Sequence, residues 1–112
     1  MLQLVFAKNQ SGVEPVRKWL EDFSESEKLV IEDAISEVQQ RWPIGKPLVG
    51  NLRDGLREVR IHLKNRIARI IFFIDGSDMV LLHAFIKKDQ KTPKEEKDLA
   101  LGRKAAFRRE NR

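Results

Sequence analysis

The chain has 112 residues, 41% hydrophobic and 35% charged, with a net charge of +5 and no cysteine. This is room for one domain over 1–112 built on one core, and too little for two. It excludes disulfides and thiolate zinc sites, and no apolar run approaches the length of a membrane span.

Leu2, Leu4 and Phe6 alternate with their neighbours and predict a short first strand. No basic leader precedes it, so no signal peptide is expected, and with the missing cysteines this fits a cytoplasmic protein. Ser11 to Glu14 has the capping-box form, and Val16, Trp19, Leu20 and Phe23 follow at helical spacing. Ser24 to Glu27 repeats the signal ahead of a second helix, whose apolar stripe is Ile31, Ala34, Ile35, Val38 and Trp42. Pro43 stops that helix. Both tryptophans belong to these stripes and read as core rather than as base-stacking platforms.

Residues 43–56 are rich in Gly and Pro and read as a loop. Strands are predicted at about 57–63, 66–74 and 78–86, with turns at Lys64-Asn65 and Asp75-Gly76-Ser77. Thr92, Pro93 and Glu95 predict a last helix, Thr92 as N-cap, running to about Phe107. The order β-α-α-β-β-β-α describes an α+β fold, a small and mainly antiparallel sheet packed on helices.

Charge is unevenly spread along these elements. Residues 1–56 hold 7 Lys or Arg against 9 Asp or Glu, whereas residues 57–112 hold 15 against 8. A positive field of this kind attracts phosphate-bearing partners, although a basic patch is as often just a solvated surface.

The segment 55–93 sets cations and a histidine into apolar strands, where a charge is costly unless something pairs with it. A hairpin closed at Lys64-Asn65 pairs Leu63 with Arg66, Ile61 with Ala68 and Val59 with Ile70. It also pairs His62 with Ile67 and sets Arg60 directly across from Arg69. Like charges so placed cost up to about 1 kcal/mol, and a bound phosphate would reverse the sign because two guanidinium forks can share its oxygens. Glu58, on the same face, could relieve the repulsion without a ligand. His62 lies next to the pair and is able to exchange a proton near neutral pH.

His83 and Phe85 read as core. Lys87 and Lys88 end the third of these strands, and alternation lets only one of them face Arg69; the turn length leaves the choice open. Two isolated histidines and helix-surface carboxylates form no recognisable ligand set, so neither metal nor cofactor is expected.

The blocks Gly45-Lys46-Pro47-Leu48, Asp54-Gly55-Leu56-Arg57-Glu58-Val59-Arg60, Arg69-Ile70-Ile71-Phe72-Phe73, Leu81 to Lys88 and Lys91-Thr92-Pro93 carry a resemblance. In order and spacing, the segment 45–100 resembles the phage-derived branch of the HigB toxins, within the RelE-like superfamily. The resemblance implies the toxin of a type II toxin-antitoxin system, an mRNA endoribonuclease that works on the ribosome without metal. In such enzymes the ribose 2′-hydroxyl attacks the neighbouring phosphate.

Carried onto this chain, the resemblance makes Arg69, His62 and Lys88 the catalytic candidates. Arg60, Arg66, Lys87 and Lys91 are the candidates for holding RNA phosphate. The implied partners are mRNA, the ribosome and a helix-turn-helix antitoxin of the HigA kind. Two other readings share the fold: a ParE-like gyrase poison without catalysis, and an inactive phage-derived remnant that still binds an antitoxin. Ala68, where many relatives have an aromatic residue, and the absence of tyrosine motivate the last of these.

Overall fold

The structure, a computed structural model, describes residues 1–87 and 92–111. Its elements are β1 (Gln3–Phe6), α1 (Pro15–Leu20), α2 (Glu25–Arg41), β2 (Val49–Asn51), β3 (Arg57–His62), β4 (Ile67–Asp75), β5 (Asp78–Lys87) and α3 (Lys94–Glu110). The five strands form one sheet in the order β1-β5-β4-β3-β2. β1 runs parallel to β5, and the other pairs are antiparallel. The fold is α+β with the RelE-like order, plus one short strand.

That strand, β2, lies within the stretch read from the sequence as loop 43–56. Three residues with a central glycine show no alternation, so no local signal distinguishes them from a loop. They are strand because β3 pairs with them, Val49 to Val59, Gly50 to Glu58 and Asn51 to Arg57.

Both faces of the sheet are covered, by different elements. On one, Val59, Ile61, Ala68, Ile70, Phe72, Met79 and Leu81 pack against Val16 of α1 and Ile31, Ile35 and Val38 of α2. The stripe predicted for α2 is the face that meets the sheet. Trp19 and Trp42 pack on the same core, and Trp42 meets Phe72 edge to face at 6.0 Å. On the other face, Leu56, Ile71, Phe73, Val80 and Leu82 pack against Ala100, Leu101 and Phe107 of α3. This second core occupies only part of its face, and the row from Arg60 to His62 lies beyond it.

The hairpin from β3 to β4 has the predicted register: Val59 pairs with Ile70, Arg60 with Arg69, Ile61 with Ala68 and His62 with Ile67. Leu63 N–H donates to Arg66 O at 2.9 Å to close the turn. The hairpin from β4 to β5 begins tightly, Asp75 pairing with Asp78 and Gly76 at φ 61°. A bulge then shifts the register. Phe72 pairs with Leu81, but Ile71 pairs with His83, so one extra residue of β5 enters the ladder.

The two identical capping signals behave differently. Ser24 Oγ accepts from Glu27 N–H at 3.2 Å and caps α2. Ser11 caps nothing; Asn9 Oδ1 accepts from Ser11 and Val13 N–H, and α1 starts at Pro15 with Glu14 as N-cap. Helix α3 extends to Glu110, one turn past the predicted end. Ser24→Ala is therefore expected to lower stability by about 1 kcal/mol while Ser11→Ala changes it little. Equilibrium urea denaturation of the two variants checks this, and equal losses would contradict the assignment.

Candidate functional site

Glu58, on β3, is the centre of a polar cluster inside the sheet face. Pleating puts Glu58, Arg60 and His62 on one side of β3, with Ile71, Arg69 and Ile67 opposite them on β4. Glu58 is fully buried at 1% exposure. Its Oε1 accepts from Arg69 Nη1 and, at 3.2 Å, from Arg60 Nε. Its Oε2 accepts from Thr92 Oγ1 at 2.5 Å.

The like-charge pairing of Arg60 with Arg69 is thus held by one carboxylate placed on both. Among the described residues two guanidiniums share this carboxylate. The two are not equivalent. The Arg69 side chain is 7% exposed, whereas the Arg60 side chain is 31% exposed. Among the described residues the side-chain hydrogen bond of Arg60 is the one from Nε.

The bulge in β5 decides the third strand. A regular ladder from the Asp75–Asp78 turn would set even-numbered residues of β5 against Arg69. The extra residue reverses this, so Phe85 lies opposite Arg69 and Lys87 opposite Ile67. Lys87 therefore lies on the Arg69 face. Lys88 and Lys91 lie outside the described residues. His62 is exposed at the end of the row and borders an open groove with Ile67 and Lys87.

Arg66 does not join this row. It lies on the opposite face, where both Nη2 contacts go to Glu27 of α2 at 2.9 Å and the guanidinium covers Phe23 at 5.3 Å. Its pairing with Leu63 across the turn puts it there. Thr92 was expected to cap α3, but its hydroxyl goes to Glu58, Pro93 takes the N-cap position and no side chain caps the helix. A threonine before a proline gives the same local pattern in both roles, so sequence reasoning missed it as a site residue.

His83 is a mostly buried member of a second cluster under α3. Its Nδ1 accepts from Arg103 Nη1 at 3.0 Å, and its Nε2 lies 3.2 Å from Glu96 Oε1. Arginine can only donate, so the ring carries its proton on Nε2. Burial lowers the pKa of His83 below its ordinary 6.5; Glu96 opposes this and Arg103 adds to it. Among the described residues no group of three or more His, Cys, Asp or Glu side chains could hold a metal ion, and no helix is long and apolar enough to cross a membrane.

Two outcomes follow from these clusters. Glu58→Ala leaves Arg69 buried beside Arg60 without its carboxylate, and should cost roughly 3–5 kcal/mol in urea denaturation; a loss under about 1 kcal/mol would mean the pair behaves as a surface pair. For His83, the unfolded chain takes up a proton near pH 6.5 and the folded chain only lower. Below 6.5 the unfolded state therefore binds more protons, and stability falls as pH drops through that window. His83→Gln should flatten this slope, measured by denaturation midpoints from neutral pH downward, and an unchanged slope would assign it to other groups.

Comparison with known proteins adds to the geometry. Residues 18–105 match the family described as Phage derived protein Gp49-like. Over 79 residues the chain is 35% identical to the "Probable endoribonuclease HigB1" proteins of two strains of Mycobacterium tuberculosis, an overlap covering 68% of this chain and 63% of each relative. The match thus spans about two thirds of this chain and somewhat less of those proteins. Since the family match takes in α2, every strand from β2 to β5 and most of α3, the chain belongs to the Gp49-like family of phage-derived proteins.

Proposed function

We propose that the chain is the toxin of a type II toxin-antitoxin pair, a cytoplasmic endoribonuclease that cuts mRNA on the ribosome without a metal ion. The observation that carries the reading is the Arg60–Glu58–Arg69 cluster: two guanidiniums held on one carboxylate, of which that of Arg60 is the exposed one. The similarity to proteins named as probable endoribonucleases supports the choice of RNA as the anion.

In the proposed reaction the 2′-oxygen attacks the adjacent phosphorus and the bond to the 5′-oxygen breaks. The products are a 2′,3′-cyclic phosphate and a 5′-hydroxyl. The negative charge that builds on the phosphoryl oxygens must be met by donors already in place. Arg60 supplies these through its Nη nitrogens. Arg69, bonded to Glu58, is the transition-state arginine implied by the family, and from its buried position it adds positive field. One proton leaves the 2′-hydroxyl and one reaches the 5′-oxygen; His62 is the group proposed to accept the first.

Lys87 shares the face of Arg69 and is proposed to hold phosphate with Arg60. Lys88 and Lys91 are proposed for the leaving oxygen and the flanking backbone on the family pattern alone. Arg66 is held by Glu27 and becomes available only if that bond opens. A HigA-like helix-turn-helix antitoxin is the proposed inhibitor.

Primer extension on mRNA in a purified translation system, with and without ribosomes, tests the reading. Wild type should cut only with ribosomes. Arg60→Ala should slow cutting by roughly 100- to 1,000-fold, and His62→Gln by less. Arg69→Ala should also abolish cutting, but its loss strips a buried partner from Glu58, so Arg69→Lys is the cleaner comparison. Intact message despite folded wild-type protein would overturn the proposal in favour of gyrase binding or an antitoxin-binding remnant.

A further inference from the structure

We infer that Gly50 is a positioning residue for Arg60, and that the bare backbone of β2 is the bed on which the phosphate-binding guanidinium lies. The inference rests on the proposed phosphate role of Arg60. A Cβ built on Gly50 would come within 2.8 Å of Arg60 Cζ and 3.2 Å of its Nε, and closer still to Nη2. The guanidinium therefore occupies the volume that any side chain at position 50 would take. Gly50 faces this way because it pairs with Glu58, and Arg60 is the next residue along the same face of β3.

Neither of the usual backbone reasons for glycine applies here. The positive-φ glycines are Gly12, Gly55 and Gly76, so the backbone at Gly50 is open to any L-residue. Gly50 is also inside a paired strand, where glycine weakens the ladder and commonly marks a close approach. What approaches is a cation. With Nε on Glu58 and its plane across β2, the guanidinium has little freedom left to lose when a phosphate arrives. A side chain at position 50 would lift it off this bed, which is cheap for the fold because an arginine tip can swing away, and damaging for the site because the Nη nitrogens would no longer be aimed.

The test is a double-mutant comparison of Gly50→Ala and Arg60→Ala in the ribosome-dependent cleavage assay, with NMR of the Arg60 Nε–H signal. Gly50→Ala should keep a cooperative unfolding transition and lose the Arg60 Nε–H signal held by Glu58. It should slow cleavage roughly tenfold or more, and add nothing in an Arg60→Ala background. Wild-type cleavage by Gly50→Ala alongside a slow Arg60→Ala would overturn the role of Gly50 and leave the site reading intact. So would a further loss on top of Arg60→Ala. Wild-type cleavage by Arg60→Ala itself would overturn the site reading. If Gly50→Ala does not fold, restored folding in Gly50→Ala/Arg60→Ala would support the clash, and no restoration would overturn it.

Discussion

A carboxylate at 1% exposure is costly to bury unless charge and hydrogen bonds surround it, and Glu58 is surrounded by two arginines and a threonine. Much of the site depends on this one group. It allows Arg60 and Arg69 to face each other across an antiparallel pair, where their repulsion would otherwise weaken the hairpin. It also ties β3 to Thr92, just before α3, so the strand that carries the cations and the segment that leads into the second core share a hydrogen bond. Of the two arginines held on Glu58, Arg60 is the more exposed.

The two faces of the sheet divide the labour. Helices α1 and α2 cover one face with a conventional apolar core, which makes the sheet rigid. Helix α3 covers part of the other and leaves the end with Arg60, His62 and Lys87 beyond its apolar stripe. A site built on strand residues in this way is held by ladder hydrogen bonds rather than by loop conformation, as the proposed catalysis by positioning requires. His83, Glu96 and Arg103 form a separate clamp that fixes α3 to β5. Its histidine is held neutral by burial and does structural work near the site without belonging to it.

Gly50 and the bulge in β5 show how small irregularities aim side chains. One extra residue between Leu81 and His83 puts Lys87 on the face of the sheet that carries Arg69. One missing side chain in β2 gives the Arg60 guanidinium a surface to lie on. Neither feature changes the topology, and each reaches the site through a single cation.

Several of these features could be read in the chain itself because they rest on local periodicity. The alternation in 57–63 and 66–74, with a short polar turn between them, was enough to set Arg60 against Arg69, and helical spacing was enough to define the buried stripe of α2. The blocks shared with HigB toxins pointed to the family in the same way, through residue order. What local patterns lacked was any signal for interactions made at a distance. Val49 to Asn51 is a strand only because β3 lies beside it, and Thr92 bonds to Glu58 instead of capping its own helix. Arg66 turns to Glu27, 39 residues away in sequence, and Lys87 lies on the Arg69 face because of a bulge that no composition marks. Chain periodicity determined the elements and the facing arginines; the tertiary structure decided which partner each charged group took, because a charge settles on the best partner in space and sequence distance does not limit that choice.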